Sequence, residues 1–586
     1  MKRLNLFVCL ALVVSLLAAC GGAAEPEVVE KEVTRVVQET VLETVKETVV
    51  VEGTPQVVEQ QVTRVVEVEK IVTATPESEP VPAVGGKLVY LLNSEGDSLD
   101  PHRVVGGMVS TVLKYIGASL VTKDPWSGEY IPYLAESWSV SEDGLTWEFK
   151  LREDVLFHDG TPFTAHDYVW TFERIMDPKT MSPTAAAILR GVAGVEAVDD
   201  YTFRINMAWP NFPLLENLTD PVFMQPQSGA YVERVGEEAY SRNPVGVGPY
   251  KFKEWVTGEK IVLERNPDFS WGPVWTRGGA PHIETIEFRI ISEYATVLAG
   301  LEAEEIDFAP LEIKDVERIR DTGQFQVLEA IHAGVSPDLD INVSKPPFDD
   351  IRVRQAFNYA VDRDVIIQVV ALGHAQVQQG PISPAVSGYW PGVEYIGYSH
   401  NLGKAKSLMK EAGYTYNDAG MLEKDGQPFQ LVLKVGANYG EDVRLAAILQ
   451  EQFKALGVEV EIEQIEFGVL ISEAQKGDYF MQIDGWSWPD SSLMYAMFHS
   501  SMMGSENVFF VDDPKLDQIL EAMVFATSAE ANQEAANEAQ RYIVEQSFII
   551  PFYTATNYTA LSSKVQGAVF SLTGDLLLFD AYIETQ

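Results

Sequence analysis

A mixed α and β fold, built from at least two packed units, is what the sequence predicts. Short strand signals alternate with helical ones from about Gly86 to Gln586, the pattern of a layered α and β organisation. A chain of 586 residues exceeds what one hydrophobic core organises, so more than one core is expected. Its 46% apolar and 10% aromatic residues are those of a folded protein and not of a disordered one.

The N-terminus reads as an address. In MKRLNLFVCLALVVSLLAAC, Lys2 and Arg3 precede an apolar run from Leu4 to Leu17, and small residues lead to Cys20: a secretory signal over residues 1–19. The run is shorter than the ~20 residues a membrane-spanning helix needs. Leu17, Ala18, Ala19 and Cys20 also resemble a bacterial lipobox, which implies a diacylglyceryl group on Cys20 and a protein held outside the cell by that lipid. Cys9 leaves with the signal, so Cys20 has no thiol to pair with, no intramolecular disulfide forms, and stability rests on the cores. The net charge is −43. So acidic a surface is repelled by nucleic acid phosphate and by anionic lipid, which excludes DNA and RNA as partners and leaves the lipid as the membrane link.

Residues 20–85 are expected to form a low-complexity stalk. From Glu25 to Pro82 the chain is Val, Glu, Thr and Gln with no aromatic residue, and VTRVVQE at Val33 is echoed by VTRVVEV at Val62. Valines at 29, 33, 36, 37, 41, 45 and 49 fit a helical stripe, whereas the abundance of β-branched residues favours extended chain. A solvated spacer is preferred over a coiled coil because the stripe is short and is interrupted at Gly53 and Pro55.

The first strand of the main unit lies in GGKLVYLLNSEGDSLDPH, ahead of a Gly, Asp and Pro turn cluster. Further on, Leu145, Trp147, Phe149 and Leu151 alternate with polar residues, the period of a half-buried strand. The stretch VLFHDGTPFTAHDYVW from Val155 then places a turn at His158, Asp159 and Gly160 and opens a helix at Thr164 and Asp167, a relative of the capping box. The helix is expected to bury Ala165, Val169, Phe172 and Met176. His158 and His166 look like a metal pair, but His166 and Asp167 are adjacent on that helix and point apart, so no i, i+4 ligand pair exists and a scaffold role is favoured.

LDPH at 99–102, the run PYLAESWSVSEDGLTWEFKLREDVLFHDGTPFTAHDYVWTFERI from Pro132, NPVGVGPYKFKEW from Asn243, LERNPDF from Leu263, PPFDDIRVRQAFNYAVDRD from Pro346 and EAGY at 411 together resemble the family 5 extracytoplasmic solute-binding proteins of ABC importers, the oligopeptide, dipeptide and nickel group. The resemblance runs from about Gly86 to the C-terminus. It implies a large two-lobed α/β fold of the periplasmic-binding-protein type (class II), with lobe 1 over 86–330 plus 549–586, an extra subdomain near 126–211, and lobe 2 over 331–548. The residues themselves support one joint, where a proline break precedes Asp350 as N-cap of a helix with Val353, Phe357 and Ala360 on one side.

The resemblance also implies a monomeric binding protein with no cofactor, which captures a small solute between its lobes and passes it to a membrane permease. Peptide binders of the group commonly hold the peptide amine with an aspartate three positions after a tryptophan. Here, in DGWSWPDSSLMYAMF, that position after Trp486 is Pro489, and the carboxylate, Asp490, comes one place later. Asp490 either takes over the amine or the job is abandoned, and an unpartnered buried ammonium is costly, so this residue separates peptide from oligosaccharide as ligand. Trp486 and Trp488 are candidates to line the ligand, as are Asn438 and Tyr439 in VGANYGED, Met108 in VVGGMVS and, more weakly, Trp390 in SGYWPG. The eight histidines are scattered and support no nickel site. No GxSxG, HExxH, P-loop or CxxC spacing points to a hydrolase, and a surface adhesin carried on the stalk is the remaining rival.

Overall fold

A computed structural model describes residues 35–51, 54–70, 83–104, 108–437, 440–571 and 574–584. The signal segment, Cys20, Asn438 and Tyr439 lie outside the described residues. The chain divides into two units, 1–82 and 83–586.

In the first unit, Arg35–Val51 and Thr54–Lys70 pair as one antiparallel hairpin, with Arg35 opposite Lys70 and Val51 opposite Thr54. The segment is thus extended, as its β-branched composition favours, and not the helix of a coiled coil. Val and Thr are stiff at χ1 and suit a pleated strand better than a helix, and an antiparallel partner lies within the same segment.

The second unit is organised by a 13-stranded sheet that runs through both lobes. On the first side the order is Tyr250–Val256, Lys260–Arg265, Thr285–Ile290, Lys87–Leu92, Phe308–Leu311 and Tyr553–Ser562. On the second it continues with Gly334–Ile341, Met481–Ser487, Gln430–Gly436 and Glu459–Ile465. The two sides meet where Ser336 pairs with Thr554 and where the short second-side strand Ala375–Val377 pairs with Tyr553–Ala555. The chain crosses once between Phe325–Ile331 and Gly334–Ile341, and returns between Ile549–Pro551 and Tyr553–Ser562. Each crossing takes one or two residues, His332 and Ala333 outward and Phe552 on the return. Gly334 has φ +146°, and a Cβ there would stand 1.8 Å from the Trp486 carbonyl oxygen, so only glycine fits where the outward strand enters the second side.

Separate cores flank the joint. The first lobe is built on a large cluster that includes Phe149, Phe172, Phe203, Tyr250 and Phe288, with a smaller one around Leu301 and Ile319. The second centres on Leu339, Phe357, Leu433 and Phe453, with another around Val335, Leu493, Phe509 and Ile543. Phe357 has no exposed surface, and its ring centroid lies 5.0 Å from that of Phe348 and 4.7 Å from that of Phe453. Its helix, Ile351–Ala360, starts where Asp350 accepts a hydrogen bond from the Arg352 amide.

Residues 135–207 add a four-stranded antiparallel sheet in the order Ala135–Val140, Thr146–Leu151, Thr202–Met207, Val192–Asp199, covered by the helix Ala165–Met176. The Thr164 amide donates to Asp167 Oδ2 at 2.8 Å, the carboxylate half of the box read from the sequence. The buried stripe is rotated from the expected one: Tyr168, Phe172 and Ile175 are buried with Ala165, while Val169 and Met176 lie at its margin. His158 is a scaffold residue. Its Nδ1 accepts from the Gly246 amide at 3.2 Å and its Nε2 donates to the Gly248 carbonyl at 3.0 Å, which fixes the loop NPVGVGPY. His166 is exposed, 3.4 Å from Asp200. Among the described residues, no group of three His, Cys, Asp or Glu is arranged to hold a metal ion, and no helix is long and apolar enough to cross a membrane.

Candidate functional site

The lobes touch beyond the two crossings. The Phe212 amide of the first donates to the Val524 carbonyl of the second at 2.9 Å, and Arg190 Nη1 approaches Met502 Sδ at 3.8 Å. The seam between them holds the candidate site.

From the second lobe, the strand Met481–Ser487 runs antiparallel to Gly334–Ile341 and carries its chain to the seam. The Trp488 amide donates to the Ala333 carbonyl at 3.0 Å, and the Pro489 carbonyl accepts from the Ser387 amide at 3.0 Å. These bonds tie residues 488–490 to the outward crossing on one side and to the loop at Ser387 on the other. Asp490 therefore sits at a fixed place, 5% exposed, beside Ser387. Its Oδ1 accepts from the Ser492 amide at 2.7 Å, at the start of the helix Ser492–Phe498, while no group donates to Oδ2. Burial raises the Asp490 carboxyl to about 6; the Ser492 bonds oppose this and the Glu216 charge adds to it.

From the first lobe come Lys123, Tyr130 and Glu216. Tyr130 Oη donates to Glu216 Oε2 at 2.7 Å and Lys123 Nζ pairs with the same oxygen at 2.5 Å. Lys123 and Tyr130 lie on the short hairpin Val121–Lys123 with Tyr130–Pro132, opposite each other in its register. Burial raises the Tyr130 phenol, with Glu216 and Asp490 adding to the rise and the Ser387 hydroxyl opposing it. Two residues of the second lobe thus act on a group of the first. Lys123 pairs with Glu216 and only lowers Asp490 at a distance, which leaves the Asp490 carboxyl, with one free oxygen, without an ion-pair partner at the seam among the described residues.

The tryptophans differ. Trp488 is 38% exposed, its indole N–H donating to Ser492 Oγ at 2.9 Å. Trp486 packs at the margin of a second-lobe core, its carbonyl accepting from His332 Nε2 at 3.2 Å and its buried ring N–H having no acceptor. The described contacts of Trp390 are elsewhere: its amide bonds Gln540 Oε1 at 3.1 Å and its ring lies 5.5 Å from the Arg541 guanidinium, on the helix Ala529–Gln546. Met108 opens the helix Met108–Ile116, its side chain outside the described residues. The structure brings Trp486, Trp488 and Asp490 together and places Trp390 with another element. Lys123, Tyr130 and Glu216 carry no sequence pattern of their own. Only the meeting of the lobes selects them.

The sequence profile of the bacterial extracellular solute-binding proteins, family 5 (middle), matches residues 129–505. The chain is 28% identical over 515 residues to the periplasmic oligopeptide-binding protein OppA of Escherichia coli (strain K12), covering 82% of this chain and 89% of that protein. It is 27% identical over 454 residues to the oligopeptide-binding protein AppA of Bacillus subtilis (strain 168), covering 76% and 81%. Among solved structures, the periplasmic binding protein DppA from Helicobacter pylori, in complex with the peptide STSA, matches with a TM-score of 0.68 at 26% identity, over 86% of this chain and 99% of that one. Two lobes on one continuous sheet, a polar seam between them and a profile match over most of the second unit lead to one conclusion: the chain belongs to the family 5 bacterial extracellular solute-binding proteins.

Proposed function

We propose that this protein captures a peptide between its lobes and delivers it to the permease of an ABC importer, as a lipoprotein anchored through Cys20 with residues 20–85 as its stalk. In this reading lobe 1 comprises residues 86–330 and 549–586 and lobe 2 residues 331–548, and the protein binds its ligand without converting it. The observation that carries the reading is Asp490. A buried carboxylate with one oxygen free at the seam costs stability until a cation satisfies it, and a peptide's α-ammonium brings both the charge and the donors. The names of the relatives lean the same way, since OppA and AppA are described as oligopeptide-binding.

The test is calorimetric titration of the ligand-free protein with penta-alanine and with its N-acetylated form. Penta-alanine binds and the acetylated peptide binds at least about tenfold more weakly, the value of one charge-assisted hydrogen bond. Asp490→Asn removes that difference. Equal binding of both peptides by the parent protein, or a difference that persists in the variant, refutes the amine anchor.

A further inference from the structure

A second group of carboxylates lies on the strand that leads to Asp490 and on its antiparallel neighbour, and among the described residues no cationic side chain pairs with it. In Gly334–Ile341 the side chains of Leu339 and Ile341 enter the second-lobe core, so Asp338 and Asp340 point to the opposite face. Their antiparallel neighbours are Asp484, opposite Asp338, and Gln482, opposite Asp340. Asp338, Asp340 and Gln482 have no exposed surface. Gln482 Nε2 donates to Asp340 Oδ2 at 3.0 Å and the Asp338 and Asp340 carboxyls share a hydrogen bond, but among the described residues no amide, hydroxyl or cationic group donates to Asp340 Oδ1 or to either oxygen of Asp338, and Gln482 Oε1 is a fourth buried acceptor without a donor.

Asp484 is the half-buried member, bonded only to the amide of Gly485 at 2.9 Å. Asp442, in the first turn of the helix Gly440–Leu456, adds its charge to both Asp338 and Asp484. The other ionisable neighbours do not help. Tyr479 spends its hydroxyl on the Val508 carbonyl, Arg444 pairs with Glu441, and Tyr553, on the return strand, feels the charges of Glu441 and Asp442. Among the described residues no Lys, Arg or His forms an ion pair with Asp338, Asp340, Asp442 or Asp484.

Like charges directly opposite on paired strands repel, and burying them without partners costs several-fold more than exposing them. Either protons or a cation must answer them. Burial and the neighbouring carboxylates raise Asp338 well above the usual range and Asp484 to about 8, while burial raises Asp340 to about 6 against the hydrogen bonds from Asp338 and Gln482, so protons answer much of this charge in the empty protein. The carboxylates are not arranged to hold a metal ion. An organic cation is different: an ammonium brings three donors and a guanidinium five, to a place where buried acceptors lack them.

We propose that Asp484, backed by Asp338 and Asp340 and flanked by Asp442, forms a second ligand subsite that takes a basic side chain of the bound peptide. The subsite rests on the peptide reading. Asp484 precedes Asp490 by six residues, at most about 20 Å of extended chain, which a peptide of about six residues spans.

The test titrates penta-alanine peptides carrying one lysine, or one norleucine, at each position in turn. At one position the lysine peptide binds about tenfold or more tightly than its norleucine counterpart, as one charge-assisted contact gives. Asp484→Asn brings that ratio to about one without changing affinity for the norleucine peptide, and Asp442→Asn lowers it. No lysine preference at any position, or a preference that survives Asp484→Asn, overturns the subsite. Should none of the pentapeptides bind, the peptide reading fails, and thermal stabilisation by 1,5-diaminopentane decides the subsite. Stabilisation lost in Asp484→Asn supports it; none, or the same in both proteins, overturns it. Asp484→Asn removes a repulsion from a half-buried position, so it folds and remains testable.

Discussion

At the scale of single residues, the buried aspartates of two neighbouring strands and their continuation were unequally legible. Asp490 stands out in the sequence because a proline displaces it from an expected spacing, and the structure places it buried at the seam with a free oxygen. Asp338 and Asp340 alternate with Leu339 and Ile341, a pattern that marks a strand with acids on one face, yet nothing in the sequence shows that this face is closed or that Asp484 lies across from it. Lys123 and Glu216 are similar: their pairing depends on tertiary approach. The buried acids also make stability depend on pH. The Asp484 carboxyl titrates near 8 in the folded protein against 3.8 unfolded, so between those values the folded state holds the extra proton. Stability from this group is therefore full below about pH 4 and is lost as pH rises through about 8. Thermal melts of the ligand-free protein at pH 5 and pH 8.5 check this. Asp484→Asn raises Tm by about 2 °C or more at the higher pH and changes it little at the lower. An equal shift at both values contradicts the raised titration.

At the scale of elements, local pattern located most pieces and tertiary packing set their details. The alternation from Leu145 to Leu151 predicts the strand Thr146–Leu151, and Asp350 caps the helix it was expected to cap. The Ala165–Met176 helix was placed correctly but rotated by about one position. Tyr168, outside the expected stripe, stacks on Phe203 at 5.2 Å, and aromatic packing decides which face goes inward. The residues 35–70 show the reverse case, where a helical period coexists with β-branched composition and the paired strand prevails. The helix Ile351–Ala360 carries the firmest element-scale prediction, because the ring of Phe357 joins Phe348, Phe429 and Phe453 in one contact group. Phe357→Ala leaves a cavity there and costs about 3–5 kcal/mol, read by denaturant unfolding as an earlier transition of the second lobe. A loss below about 1 kcal/mol contradicts a tightly packed centre.

At the scale of the whole molecule, the two cores share one sheet but are joined by two crossings of one or two residues and by short pairings of the strand Tyr553–Ser562 with Ser336 and with Ala375–Val377. Little backbone resists a rotation there, while contacts away from the crossings, such as the Phe212 amide with the Val524 carbonyl, hold only when the lobes are together. Resemblance to a two-lobed family made this architecture legible in the sequence. The facing residues were not, because they are far apart along the chain. A ligand that enters between the lobes needs them to part, which gives a direct test. The Phe212 amide and the Val524 carbonyl are 2.9 Å apart, which makes this pair the place to engineer a cross-lobe disulfide, and Cys9 and Cys20 are the chain's own cysteines, both in the first twenty residues. In the oxidised Phe212→Cys/Val524→Cys protein, prepared without ligand, the open state is removed and penta-alanine binding slows by on the order of 100-fold, in proportion to the lost population. Reduction restores it. Unchanged association in the oxidised protein means that the solute reaches its site without the lobes separating.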